Sequence, residues 1–160
     1  MLKLCLFALS LAAMALPAAA DWVYRAPEAS DDLGSAYVEN AAGFRLDVGC
    51  GNGGSVSLGM SPNPGVQTLQ GQVAMFGFSV DGGRPHLMPT QCSQSGCGQS
   101  LTADIKPWPT AEAAALTSAL RGGSSVEILL GSTKLTQFTL AGSGAALGRL
   151  KATTPLCDGL

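Results

Sequence analysis

His86, Leu87 and Met88 place an imidazole and a thioether two residues apart. On a strand, residues at that spacing face the same way. A soft His/Met pair suits Cu(I). Met75 and Met60 are further candidate donors. One expectation is therefore a periplasmic Cu(I)-binding protein that uses His86 and Met88, with Met75 nearby. His86 is the only histidine in the chain.

Two other stretches spell chemistry. Leu46-Asp47-Val48-Gly49-Cys50-Gly51-Asn52-Gly53 resembles the glycine-rich first motif of class I S-adenosylmethionine methyltransferases. That motif needs a helix after the loop and an acid at the end of a second strand. Here strand-like Ser55 to Met60 follows, then Pro62 and Pro64, and the next acid is Asp81. Gly142-Ser143-Gly144 looks like a dinucleotide turn or a serine on a nucleophile elbow. However, the chain ends too soon for a βαβ unit, and His86 lies upstream of the serine where hydrolase order puts the base downstream. A tight turn of small residues, letting a last helix pack, is the expected role. Trp22 and Trp108 read as packing residues rather than sugar platforms. No catalytic residue and no cofactor is assigned.

The elements that must position these residues are short. Residues 21–25 and 36–39 read as strands. Phe44, Leu46, Val48 and Cys50 alternate with polar or small residues, as do Val56, Leu58 and Met60; both halves have the period of half-buried strands. Gly51-Asn52-Gly53-Gly54 between them supplies hairpin-loop residues. Cys50 falls on the apolar face. Val66 to Leu69 reads as extended. Gln72 to Asp81 is a strand with Ala74, Phe76, Phe78 and Val80 on one face. Asp81-Gly82-Gly83 is a turn signal, and Arg84 to Met88 returns. Gln99 to Ile105 alternates again. Thr110 to Arg121 reads as a helix capped by Thr110, with Ala113, Leu116 and Leu120 on one stripe and Gly122-Gly123 as its stop. Val126 to Leu130 and Leu135 to Leu140 form a hairpin pattern. Ser143 is expected to cap a last helix over 144–151. Many short strands, Gly-rich turns and one or two short helices predict a mainly β fold, an antiparallel, jelly-roll-like β-sandwich.

The first 20 residues read as a signal peptide. Lys3 gives a positive start, Leu4 to Leu16 is an apolar run too short to span a bilayer, and Pro17-Ala18-Ala19-Ala20 precedes a cleavage expected before Asp21. Residues 21–160 are then a single β-rich domain. No later stretch is apolar for long enough to be an integral membrane segment. Without Lys3 the chain has eight basic and eleven acidic residues, a formal charge of −3. The charges are scattered, which speaks against nucleic acid as a partner. Four cysteines remain: Cys50, Cys92, Cys97 and Cys157. An even count in an exported chain reads as two disulfides, for which three pairings are possible. Cys92 and Cys97 flank a short, Gly-containing segment that closes easily, which leaves Cys50 with Cys157.

One layout joins these features. Trp22 is followed by Gly43-Phe44-x-Leu46-x-Val48-x-Cys50, then Val80-Asp81-Gly82-Gly83. Later come Leu120-x-x-Gly123-x-x-Val126-x-Ile128 and a C-terminal run from Phe138 through Gly142-Ser143 and Leu147 to Cys157. This resembles the exported proteins grouped with the invasion-associated locus B family and related type VI secretion-associated periplasmic proteins. The cysteine pair usual near the first Trp of that family is missing near Trp22. The resemblance implies a small periplasmic β-rich domain that acts through binding. The expectation is an exported, non-enzymatic binding or interaction module, periplasmic or secreted, whose partner is another envelope protein or a small ligand.

Overall fold

The computed structural model describes residues 21–28, 32–51, 54–66, 72–99 and 108–160. The expected signal peptide (1–20) and the expected extended segments over 67–69 and 100–105 lie outside the described residues. Among the described residues the chain is mainly β, with antiparallel strands, two helices and two disulfides.

Alternation and turn chemistry set the local structure. β1 (Val23–Arg25) and β2 (Ser35–Glu39) precede β3 (Arg45–Cys50). β3 and β4 (Val56–Ser61) pair in the register Leu46↔Met60, Val48↔Leu58, Cys50↔Val56, so the apolar positions of both strands share one face. β3 and β4 thus form a hairpin, and the helix that a nucleotide-type loop would need after Ser55 is replaced by β4. β5 (Val73–Val80) and β6 (His86–Cys92) are joined through Asp81 and Gly82, both at positive φ (49° and 72°), with Gly83 N donating to Val80 O at 2.8 Å. That is the turn type Asp-Gly favours. The Asp81 carboxylate then accepts from the backbone N–H of Ser124 and Ser125, tying the turn to the start of β8 (Ser125–Leu130). β7 (Cys97–Gln99) and β9 (Thr133–Thr139) complete the set. β9 begins two residues before the expected Leu135, because only Gly131 and Ser132 form the turn.

The nine strands among the described residues belong to one sheet, in the order β1-β2-β3-β4-β7-β6-β5-β8-β9. Strands in a sheet lie about 4.8 Å apart, so a flat sheet would hold β3 far from β8. Instead Leu46 of β3 and Ile128 of β8 line the same small internal void, with Met60, Phe76 and Met88. The sheet must therefore curl on itself. The two layers expected of a sandwich are two limbs of one continuous sheet. Its ends meet: Asn40 Nδ2 donates to Gln137 O at 2.9 Å, and Trp22 donates its backbone N–H to Ala141 O and its indole N–H to Thr139 O, each at 3.0 Å.

Both helices pack on this sheet and on each other. α1 (Thr110–Gly122) buries Ala113, Leu116, Thr117 and Leu120. Thr110 does not cap it. Pro109 takes the cap position, where its missing N–H is no loss, and Thr110 is already helical. α2 (Ser143–Thr153) likewise starts at the residue expected to cap it. Gly142, at φ 79°, supplies the sharp entry, and Ser143 is buried with its hydroxyl donating to Leu120 O at 2.7 Å. Ser143 therefore fastens α2 to α1.

The C-terminus is held on all sides. Cys157 bonds Cys50, Val56 N donates to Asp158 O at 2.8 Å, Thr117 Oγ1 donates to Gly159 O, and Lys151 Nζ donates to Leu160 O. The 26–34 loop has its own anchor. Arg25 grips the Asp32 carboxylate, which also accepts from Gly34 N and Glu28 N. The Arg25 guanidinium, then these two N–H groups, hold the Asp32 carboxyl well below its ordinary range. A lowered folded-state value stabilises the fold above the unfolded value of about 3.9, and this is lost as pH falls through the folded value. Acid titration followed by tryptophan fluorescence should show Asp32→Asn removing part of the stability loss below about pH 4. A profile identical to wild type would contradict this anchor.

Candidate functional site

Of the residues singled out for metal chemistry, His86 and Met75 line one groove, and Met88 and Met60 do not join them. His86 and Met88 share a face of β6, as their spacing requires, but that face is the core side: Met88 is 2% exposed and opposes Phe76. Met75 lies on the opposite face of β5, 49% exposed and across from Pro89. His86 shares a surface groove with Met75 and Glu112, without Met88. Among the described residues no group of three or more His, Cys, Asp or Glu is placed to hold a metal. The thioether at 88 is spent on packing. Met60 is likewise buried. Ser143, 1% exposed, lies in the packed contact between the helices. Trp22 and Trp108 are buried with their indole N–H groups bonded to the carbonyls of Thr139 and Leu87, so both are packing residues.

A different feature stands out on the outer sheet face. Pairing aligns five residues in one row across the sheet: Tyr37↔Asp47↔Gly59↔Gly98↔Gln91. Two adjacent glycines thus sit between an acid and an amide. Asp47 and Gln91 are three strands apart, about 14 Å between their Cα atoms at ordinary strand spacing. Over this row lies an open trough of about 840 Å³, with Asp47 and Gln91 along its sides and Gly59 and Gly98 beneath. Ser61 and the 93–96 loop line it as well.

Neither floor glycine is demanded by the fold. Both lack positive φ. A Cβ on Gly59 would meet only Cys97 O, at 3.7 Å, and one on Gly98 would meet Leu58 O at 3.6 Å and the Gly59 Cα at 4.0 Å. These are ordinary contacts. Glycine inside a strand costs about 0.5–1 kcal/mol relative to alanine, and it commonly marks a place where a ligand or another backbone comes close. Gly96 differs: a Cβ there would fall 2.5 Å from Met60 O, so it is needed for the loop to lie on β4.

The walls are fixed. Arg45 donates to both Asp47 oxygens, through Nε at 3.0 and 2.9 Å, while its guanidinium stacks 3.6 Å from the Tyr37 ring centre. The Asp47 charge is therefore matched beside the trough. The 93–96 loop is closed by the Cys92–Cys97 disulfide, by Ser93 N donating to Gly96 O at 2.7 Å, and by Asn63 Nδ2 donating to Ser93 O at 2.6 Å. Among the described residues no Lys or Arg lines the trough. Gln99, at the end of β7, lines it as well, and its buried Oε1 has no hydrogen-bond partner among the described residues.

Gly59 and Gly98 escape a reading of the sequence because their adjacency depends on β7 entering between β4 and β6. The available signal is weak: glycine at outward positions of alternating strands, where threonine or serine is usual. Among the described residues no helix is long and apolar enough to cross a membrane. No family model, curated protein or solved structure matches this chain.

Proposed function

We propose that this chain is an exported binding module of the bacterial envelope, which holds a partner on the outer face of β3, β4, β7 and β6. The observation that carries this reading is the trough floored by two glycines that neither backbone conformation nor packing requires. Three features support it. The leader pattern and paired cysteines suit an oxidising compartment. The layout resembles exported families that act through binding. Asp47, the one carboxylate lining the trough among the described residues, is tied to Arg45, which suits a fixed binding surface.

The test uses the mature chain, residues 21–160 with both disulfides intact, immobilised beside its Gly98→Val variant. Wild type should retain an envelope component from a detergent-free envelope extract, and the variant should lose it. Equal retention by both proteins, or none by either, would defeat the reading.

A further inference from the structure

Resting on the reading above, we infer that the trough takes a neutral, polyhydroxylated chain, that is, a glycan. The lining chemistry selects this class. Apart from Met60 and the Cys92–Cys97 disulfide, its non-glycine lining is amides and hydroxyls, among them Gln91, Gln94, Gln99 and Ser61, plus Asp47. Planar amides and carboxylates can each engage two neighbouring hydroxyls, and serines donate or accept as needed. Among the described residues a phosphorylated or otherwise anionic ligand would lack a partner, since none of their cationic side chains lines the trough and the adjacent Arg45 is engaged by Asp47 and Tyr37. A lipid tail would strand these polar groups without partners. An extended peptide joins a sheet through unpaired edge backbone. Here β4, β7 and β6 each have neighbours on both sides, so that route is closed along the glycine row.

The floor suits the same ligand. With no Cβ on Gly59 or Gly98, a ring can lie flat against the sheet and still reach Gln91 and Asp47 on either side. The Tyr37 ring, next in the row beyond Asp47, lies close to that edge, covered by Arg45. The disulfide-closed loop keeps Gln94 and Ser95 in place before a ligand arrives, which reduces the ordering cost of binding.

The experiment is a ¹H–¹⁵N titration of the mature chain with N-acetylglucosamine tetramer, maltotetraose and cellotetraose. Polyphosphate, anionic phospholipid vesicles and a neutral decapeptide run in parallel. At least one saccharide should shift the amides of Gly59, Ser61, Ser95 and Gly98 together with the Gln91 side chain. Gly98→Val should weaken that binding at least tenfold with no fall in melting temperature, because valine suits an outward strand position. Gln91→Ala should weaken it severalfold without filling the floor. If no saccharide shifts these signals, or if Gly98→Val binds like wild type, the glycan assignment is overturned. Shifts from polyphosphate, vesicles or decapeptide alone would overturn it too. In those cases, an envelope component still retained by wild type and lost by Gly98→Val leaves the binding-module reading standing with a different ligand. Loss of that difference as well removes both.

Discussion

Replacing Cys50 and Cys157 together with alanine should destabilise the domain by about 4–5 kcal/mol, the largest loss expected from removing a single covalent link here. The bond spans 107 positions and joins the end of β3 to the C-terminus. The effect arises mostly in the unfolded chain, where the long loop would otherwise be free. In the folded state the tail has other anchors, since Val56 N still donates to Asp158 O and Thr117 Oγ1 to Gly159 O. The same change at Cys92 and Cys97, separated by 5 positions, should cost about 2 kcal/mol by the same chain-entropy relation. Urea denaturation of both double variants against wild type decides the matter. If the short loop costs more than the long one, loop closure is not the source of the stabilisation.

Phe76→Ala should cost about 3–5 kcal/mol. Phe76 is 1% exposed in β5, opposes Met88 of β6 and Leu130 of β8, and borders a void of only about 10 Å³. Truncation there removes apolar contact and leaves a cavity that two neighbouring strands cannot easily close. The adjacent Met75→Ala should fall within about 0.5 kcal/mol of wild type, because Met75 stands on the outer face. The pair tests the facing of the strand directly. Comparable losses at 75 and 76 would mean that β5 does not present alternate faces to core and solvent as described.

Local features of the fold are legible in the residues themselves. The β3–β4 hairpin follows from Leu46, Val48 and Cys50 alternating with polar and small residues, and from glycines where the loop must turn. The β8–β9 hairpin and both helices fall within a few residues of their expected limits. Each helix begins at the residue its capping signal marks as the cap, one position early, for a common reason. Thr110 and Ser143 are good capping residues, but Pro109 and Gly142 precede them and take the entry geometry, leaving Ser143 to bond Leu120 across the helix pair. The cysteine pairing also follows from spacing, since a short flexible loop closes most readily.

The candidate site was far less legible. The spacing of His86 and Met88 does put them on one face, but spacing cannot say whether that face looks inward. The pairing of β5 with β6 and β8 turns Met88 into the core and leaves Met75 outside. Conversely, Gly59 and Gly98 look unremarkable where they stand in the chain.

The sequence alone thus determined the period of most strands, the Asp81-Gly82 turn, the helices to within a few residues and the two disulfides. All of these depend on backbone sterics, burial and loop closure over short stretches or a few cysteines. The sequence did not show β7, and it ended at Met88 a strand that runs on to Cys92. Only the tertiary structure decided that β7 lies between β4 and β6, that the sheet curls on itself, and that two glycines 39 positions apart become one floor. Strand order is set by which buried faces fit together across the core, a property of the whole packed set that no single segment carries.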